Sequence, residues 1–263
     1  MKLNKLEELL EEDLGWRKKE LSDLILIAKQ TGEEVVLKSI ILLLYAHWEG
    51  YIKRSSKLYL NYISDSKKFL NELTENFRAV ILKGIINQCI ASKEALTLQN
   101  ELIVLSKLSN ADKIKFKIKT GYNNESNELD VENDFDNTII NTHSNLNPKV
   151  FKNILSVIGL QYKTQIESRE KYIDSHLLAN RNSIGHGSRL KKQISEDFAL
   201  EINDIEKLRD VIFSIIDNFS DELVEYCKEE YFLISNQHKL TSYIELKELE
   251  LSNTFKYIDE KYS

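Results

Sequence analysis

A single proline and eight glycines in 263 residues constrain this chain more than any other feature. A β-sandwich or barrel needs turn signals every ten residues or so, and a chain this poor in backbone breakers cannot supply them. Long helices are the expectation. The remaining composition is that of a globular chain: 42% hydrophobic and 30% charged residues exclude a disordered or fibrous one. Two cysteines, Cys89 and Cys227, cannot build a disulfide framework or a four-ligand zinc site. The first residues turn acidic at once with no apolar h-region, and the longest purely apolar run, 40–46, is far short of the ~20 residues that span a bilayer. The reading is a cytoplasmic protein without a membrane segment.

Apolar residues recur at helical spacing over residues 3–30, as in Leu6, Leu9, Leu10, Leu14, Leu21 and Ile25, with charges on the opposite face. Gly32 suits a left-handed cap, and a second helix over 33–64 is apolar nearly all round between 40 and 46, as a central bundle helix would be. A third periodic stretch covers 68–107, with a break expected near Gly84. Residues 113–119 instead alternate lysine with apolar residues, which predicts a strand with one wet face. Acidic residues from Glu125 to Asp136 follow, so the expected element is a small β-hairpin insertion in which basic and acidic strands neutralise each other. Helices are expected again over 148–159, opened by Asn147 and Pro148, then over 165–187 and 196–230. Residues after 230 read equally as helix or strand.

The segment richest in chemistry is Arg181-Asn182-Ser183-Ile184-Gly185-His186-Gly187. On an unbroken helix Arg181 and His186 would point about 140° apart, whereas Asn182 and His186 share a face, so Asn182 is expected as a third catalytic residue that orients the histidine or the phosphate. Gly185 and Gly187 loosen or end the helix, which lets a long arginine and the histidine converge on one anion. Histidine moves protons near neutrality, and a guanidinium matches two phosphate oxygens at once. With RNA, the 2′-hydroxyl is a built-in nucleophile, so no protein nucleophile is needed. The bland alternative is a structural pair at a helix end.

This segment resembles the R-x4-6-H signature of HEPN domains, all-helical proteins of which many are metal-independent endoribonucleases. The segments 45–53 and 141–148, the latter followed by Ile158-Gly159-Leu160, are similar to the MAE_28990/MAE_18760-like HEPN branch. The resemblance covers roughly residues 35–220. It implies an all-α HEPN-type bundle acting as a homodimer, with the Arg181/His186 pairs of two copies facing across one cleft. It further implies cleavage leaving a 2′,3′-cyclic phosphate and a setting in toxin–antitoxin or antiviral defence, with an antitoxin or defence-system protein as a further partner. HEPN toxins silenced by a nucleotidyltransferase carry a tyrosine two residues after the histidine. Ser188 stands there in this chain, so that form of inactivation is not implied.

Lesser candidates are Glu49, as an acidic group reaching the site from a neighbouring helix, and His47, whose bland role is a satisfied bundle histidine. Two residues apart, they do not share a helix face. Tyr45 and Tyr51 are expected in the core or at a dimer seam. The spacings of His143 and His176 match no metal motif, and no metal or cofactor is expected. The net charge of 36 − 42 = −6 disfavours non-specific nucleic-acid binding by the whole surface. Local patches remain: Arg181, Arg189, Lys191 and Lys192 without an intervening acid, and the lysine stripe containing Lys115 and Lys117, are the expected RNA contacts. The expected organisation is one helical domain over 1–230, with an added N-terminal helix, an insertion at about 112–142, and a tail over 231–263. The expected activity is an endoribonuclease; the alternative is a non-catalytic HEPN-like module that binds RNA or protein.

Overall fold

A computed structural model describes residues 1–91, 97–123, 126, 128–129, 139–142, 144–185 and 201–263. Helix α1 (Leu3–Thr31) ends at Gly32, whose φ of 64° lets its N–H bond back to the Ala28 carbonyl. The chain then returns as α2 (Glu34–Ser66), antiparallel to α1, so that the N-terminal amine pairs with Asp65 at the far end of α2. By length and composition α2 could cross a bilayer, but its apolar residues form the centre of the bundle. Ile40, Ile41, Leu44, Trp48, Tyr51 and Ile52 are all at most 1% exposed.

Past the α2 end, α3 (Glu75–Ala91) and α4 (Gln99–Ser109) pack on one another. Gly84 lies inside α3 rather than breaking it, and residues 68–74 form turns instead of helix. A lone glycine costs a helix only about 1 kcal/mol, which packing of Phe77 and Val80 overrides.

The period-two stretch is realised as burial but not as a hairpin strand. Phe116 is fully buried, Ile114 and Ile118 are half-buried, and the intervening lysines are exposed. Its partner is the turn after α2: Leu70 N–H bonds the Ile114 carbonyl and Phe116 N–H the Lys68 carbonyl, both at 2.9 Å. The hairpin is shorter and later. Strand β1 (Tyr122–Asn123) pairs antiparallel with β2 (Glu128–Leu129), Tyr122 opposite Leu129. The acidic residues from Asp130 to Asp136 lie outside the described set.

Helix α5 (Pro148–Ile158) opens as the sequence indicates, with Asn147 Oδ1 accepting from Val150 N–H at 2.9 Å. Its buried face, Phe151, Ile154, Leu155 and Ile158, meets Trp48 of α2 edge-on at 4.9 Å between Phe151 and Trp48 ring centroids. The expected single helix over 165–187 is instead a broken rod: α6 (Thr164–Glu167), α7 (Glu170–Tyr172), a π-helical turn (Ile173–Leu178) and α8 (Ala179–Gly185). Helix α9 (Ile202–Lys228) then packs against both α1 and α2 and completes the core.

The tail is helical. A 3-10 turn (Ile234–Lys239) leads into α10 (Leu240–Lys261), whose Leu251, Phe255 and Ile258 face α9. Glu248 reaches across to accept the Thr164 and Gln165 N–H groups, capping α6, and Arg169 grips Asp259 through two N–H bonds.

Candidate functional site

The π-helical turn sits directly before α8, which carries Arg181. An i→i+5 turn shifts the following residues around the axis relative to a regular helix, and such turns collect at functional positions. Asn180 therefore faces the core, fully buried, with its Nδ2 donating to the His176 carbonyl at 2.6 Å. Its Oδ1 is buried without a hydrogen-bond partner among the described residues. Arg181, the next residue, emerges half-buried at the surface.

Three groups hold the Arg181 guanidinium. Its carbon lies 4.4 Å from the centroid of the Tyr45 ring on α2, a cation–π geometry. Nη1 donates to Asn182 Oδ1 at 2.8 Å, and Nη2 to the Ser144 carbonyl at 3.2 Å. Ser144 takes a left-handed backbone, φ 56°, which costs a non-glycine residue about 1–2 kcal/mol. Strain of this kind persists where surrounding contacts over-determine it. Here the Ser144 carbonyl accepts from both Arg181 and the Tyr45 hydroxyl, the latter at 3.3 Å. The same hydroxyl accepts the Leu146 N–H at 2.9 Å, and the Trp48 indole N–H donates to the Leu146 carbonyl at 3.1 Å. Helix α2 thereby fixes the loop before α5, and the loop fixes the arginine.

Glu49 lies one turn beyond Tyr45 on the same face of α2, where the negative charge of its carboxylate bears on the Tyr45 phenol. Burial, reinforced by that carboxylate, pushes the phenol up to about 12 against the opposing pull of the Leu146 N–H and of Arg181. The phenol therefore stays protonated at any physiological pH. The cluster Tyr45–Glu49–Ser144–Arg181–Asn182 offers a fixed guanidinium with an acid close by. Among the described residues, two of the five guanidinium N–H groups have hydrogen-bond acceptors.

His47 points elsewhere. It is 2% exposed, with Nδ1 at 3.3 Å from Arg17 Nη1 and Nε2 at 3.0 Å from Glu20, in a polar cluster between α1 and α2. Burial first, and then the Arg17 charge, hold its imidazole below the ordinary value, so it is a neutral structural histidine there. His176 is likewise structural, stacked on Tyr172 with ring centroids 4.3 Å apart. Lys115 and Lys117 are exposed, but Ile118 beside them bonds Ser64, nineteen residues along α2 from Tyr45. That is about 28 Å at 1.5 Å per residue, so within one copy this stripe and Arg181 do not meet. His186, Arg189, Lys191, Lys192 and His143 lie outside the described residues. Among the described residues no group of three or more His, Cys, Asp or Glu is placed to hold a metal ion.

Tyr45 and Ser144 are the site members that sequence reasoning missed as such. The Tyr45/Glu49 spacing of four was a usable signal, whereas nothing local marks a serine carbonyl.

With this geometry in place, the comparison with protein families is decisive: the description of the MAE_28990-like HEPN proteins matches residues 6–232. The chain belongs to this HEPN family. No curated protein and no solved structure matches it. The matched HEPN span contains the arginine, its tyrosine platform and the loop between them, and membership supports a nuclease or RNA-related module.

Proposed function

We propose that this HEPN protein is a metal-independent endoribonuclease whose working site forms where two copies meet. The observation that carries the reading is the Arg181 guanidinium, oriented by the Tyr45 ring, Asn182 and the Ser144 carbonyl. A guanidinium so fixed binds a phosphodiester without reorganising, and its charge counts for more as negative charge builds on the phosphoryl oxygens. His186 takes the proton of the 2′-hydroxyl or returns one to the leaving oxygen. The 2′-oxygen attacks phosphorus, the bond to the 5′-oxygen breaks, and the products are a 2′,3′-cyclic phosphate and a 5′-hydroxyl. Asn182 acts here as the arginine's positioning residue, and Glu49 supplies negative charge beside Tyr45. RNA, a second copy of the chain and a silencing or defence protein are the proposed partners.

The test is an RNA-cleavage assay with and without EDTA, using wild type, Arg181→Ala and His186→Ala. The expected result is EDTA-resistant cleavage with cyclic-phosphate ends, reduced at least a hundredfold in both variants. Equal activity in all three proteins would remove the catalytic assignment. Salt-sensitive RNA binding without any cleavage would instead favour a binding module.

A further inference from the structure

On the side of α2 next to Glu49 lies a cavity of about 600 Å³ between α1 and α2, edged by Ser126 of the hairpin turn. Its lining carries five cations, Lys5, Arg17, Lys53, Arg54 and Lys57, against two acids, Glu12 and Asp13. The balance, 5 − 2 = +3, stands out in a chain of net charge −6. The structure builds room for it: a Cβ on Gly50 would stand 3.0 Å from the Arg17 guanidinium, so glycine lets that side chain lie flat on α2. Arg17 is in turn held by Asp13 at 3.1 Å and stacks on the Trp16 ring at 4.5 Å. Trp16 itself is 47% exposed at the rim, in contrast to the buried Trp48. Lys57 is 2% exposed, and burial together with the charge of Lys53 pushes its ammonium down to about 8. An anion beside it offsets the repulsion from Lys53 and favours the charged ammonium.

The cavity and the arginine site are both built on α2. Tyr45, Glu49, Lys53 and Lys57 follow at intervals of four, each step turning about 40° and rising about 6 Å. Lys53 therefore lies about 12 Å along α2 from Tyr45 and part-way round towards the cavity. Cations tracking a backbone, with an exposed aromatic beside them, are the elements of a single-strand groove.

We propose that this cavity is a subsite for single-stranded RNA, in which Lys53, Arg54 and Lys5 take backbone phosphates flanking the scissile one and Trp16 stacks on a base. It rests on the proposed nuclease reading for the identity of the strand, but its test does not. A fluorescent DNA oligonucleotide, which lacks the 2′-hydroxyl and cannot be cleaved by this route, is titrated with the full chain at several salt concentrations, and anisotropy is read. Wild type should show a log Kd against log salt slope of about 2, from three neutralised phosphates at about 0.7 each. Lys53→Glu/Arg54→Glu should weaken binding at least thirtyfold and flatten the slope to below about 1. Loss of the Arg54–Asp13 pair at 3.6 Å lowers the melting temperature, while the helical circular-dichroism signal at the assay temperature should stay that of wild type. Trp16→Ala should weaken it about tenfold, by loss of one stacked base. Binding by the charge-reversed protein equal to that of wild type, or complete displacement of the oligonucleotide by a few millimolar inorganic phosphate, would overturn the subsite. If wild type cleaves no RNA while binding still depends on Lys53 and Arg54, the nuclease reading falls and the subsite stands.

Discussion

Replacing Tyr45 with phenylalanine separates the two jobs that this residue performs for Arg181. The ring, which supports the guanidinium at 4.4 Å, is retained; the hydroxyl, which holds the loop, is lost. Leu146 is fully buried, so its N–H is left without the 2.9 Å acceptor that now satisfies it. An orphaned buried donor costs about 1–3 kcal/mol. For a chain of 263 residues each kcal/mol moves the melting temperature by about 2–4 °C, which gives a fall of about 4–8 °C for a mid-range cost of ~2 kcal/mol. Tyr45→Leu keeps similar bulk but loses the cation–π contact as well, a further ~1 kcal/mol, or about fivefold in any step that uses the oriented arginine. Calorimetric melting and single-turnover RNA cleavage are the two readouts. A Tyr45→Phe protein that melts within 1 °C of wild type would show that the hydroxyl does not carry the loop. Equal cleavage by the Phe and Leu variants would show that the ring does not position Arg181.

Arg181→Lys keeps the charge but not the planar fork, so cleavage should fall nearly as far as with alanine, while low-salt RNA binding should stay within a few-fold of wild type. Lys163 and Glu222 form an ion pair in which the residues are 1% and 2% exposed. Either partner removed alone leaves a buried charge and should cost about 3–5 kcal/mol, about 10 °C in melting, and Lys163→Met/Glu222→Leu should recover most of it. If the double variant melts no higher than the singles, the desolvation argument is wrong. The hydrogen bonds from Arg169, with help from Lys207, hold the Asp259 carboxyl below its usual 3.8 against the opposing effect of burial. On acidification the unfolded chain takes up this proton first, so the tie between α10 and the body is intact above about pH 3.8 and is lost as pH falls through the lower folded value. Hydrogen exchange should show α10 losing protection there before α2, and simultaneous loss would count against an independently docked tail.

The helical class was legible because one proline and eight glycines in 263 residues leave little else, and the buried faces of α1, α5 and α9 follow the 3.6 period. The 113–119 alternation gave the right buried residues but the wrong partner. Period two reports which side chains face the core, and which backbone lies alongside is set by distant chain, here the turn at 68–70. The break expected at Gly84 failed for a related reason: intrinsic propensity is a small term beside the packing of α3.

For the site, the sequence by itself determined the candidates: an arginine and an amide side by side, with a histidine a few residues on. Local spacing could not show that a π-helical turn at Ile173–Leu178 turns Asn180 inward and Arg181 outward. Nor could it show that Arg181 would rest on Tyr45, 136 positions earlier, or bond a carbonyl in the strained turn at Ser144. Helical periodicity is set by neighbours within a turn and is therefore written in the chain. Which side chain meets which across the bundle depends on how whole helices dock, and only the tertiary structure decides that.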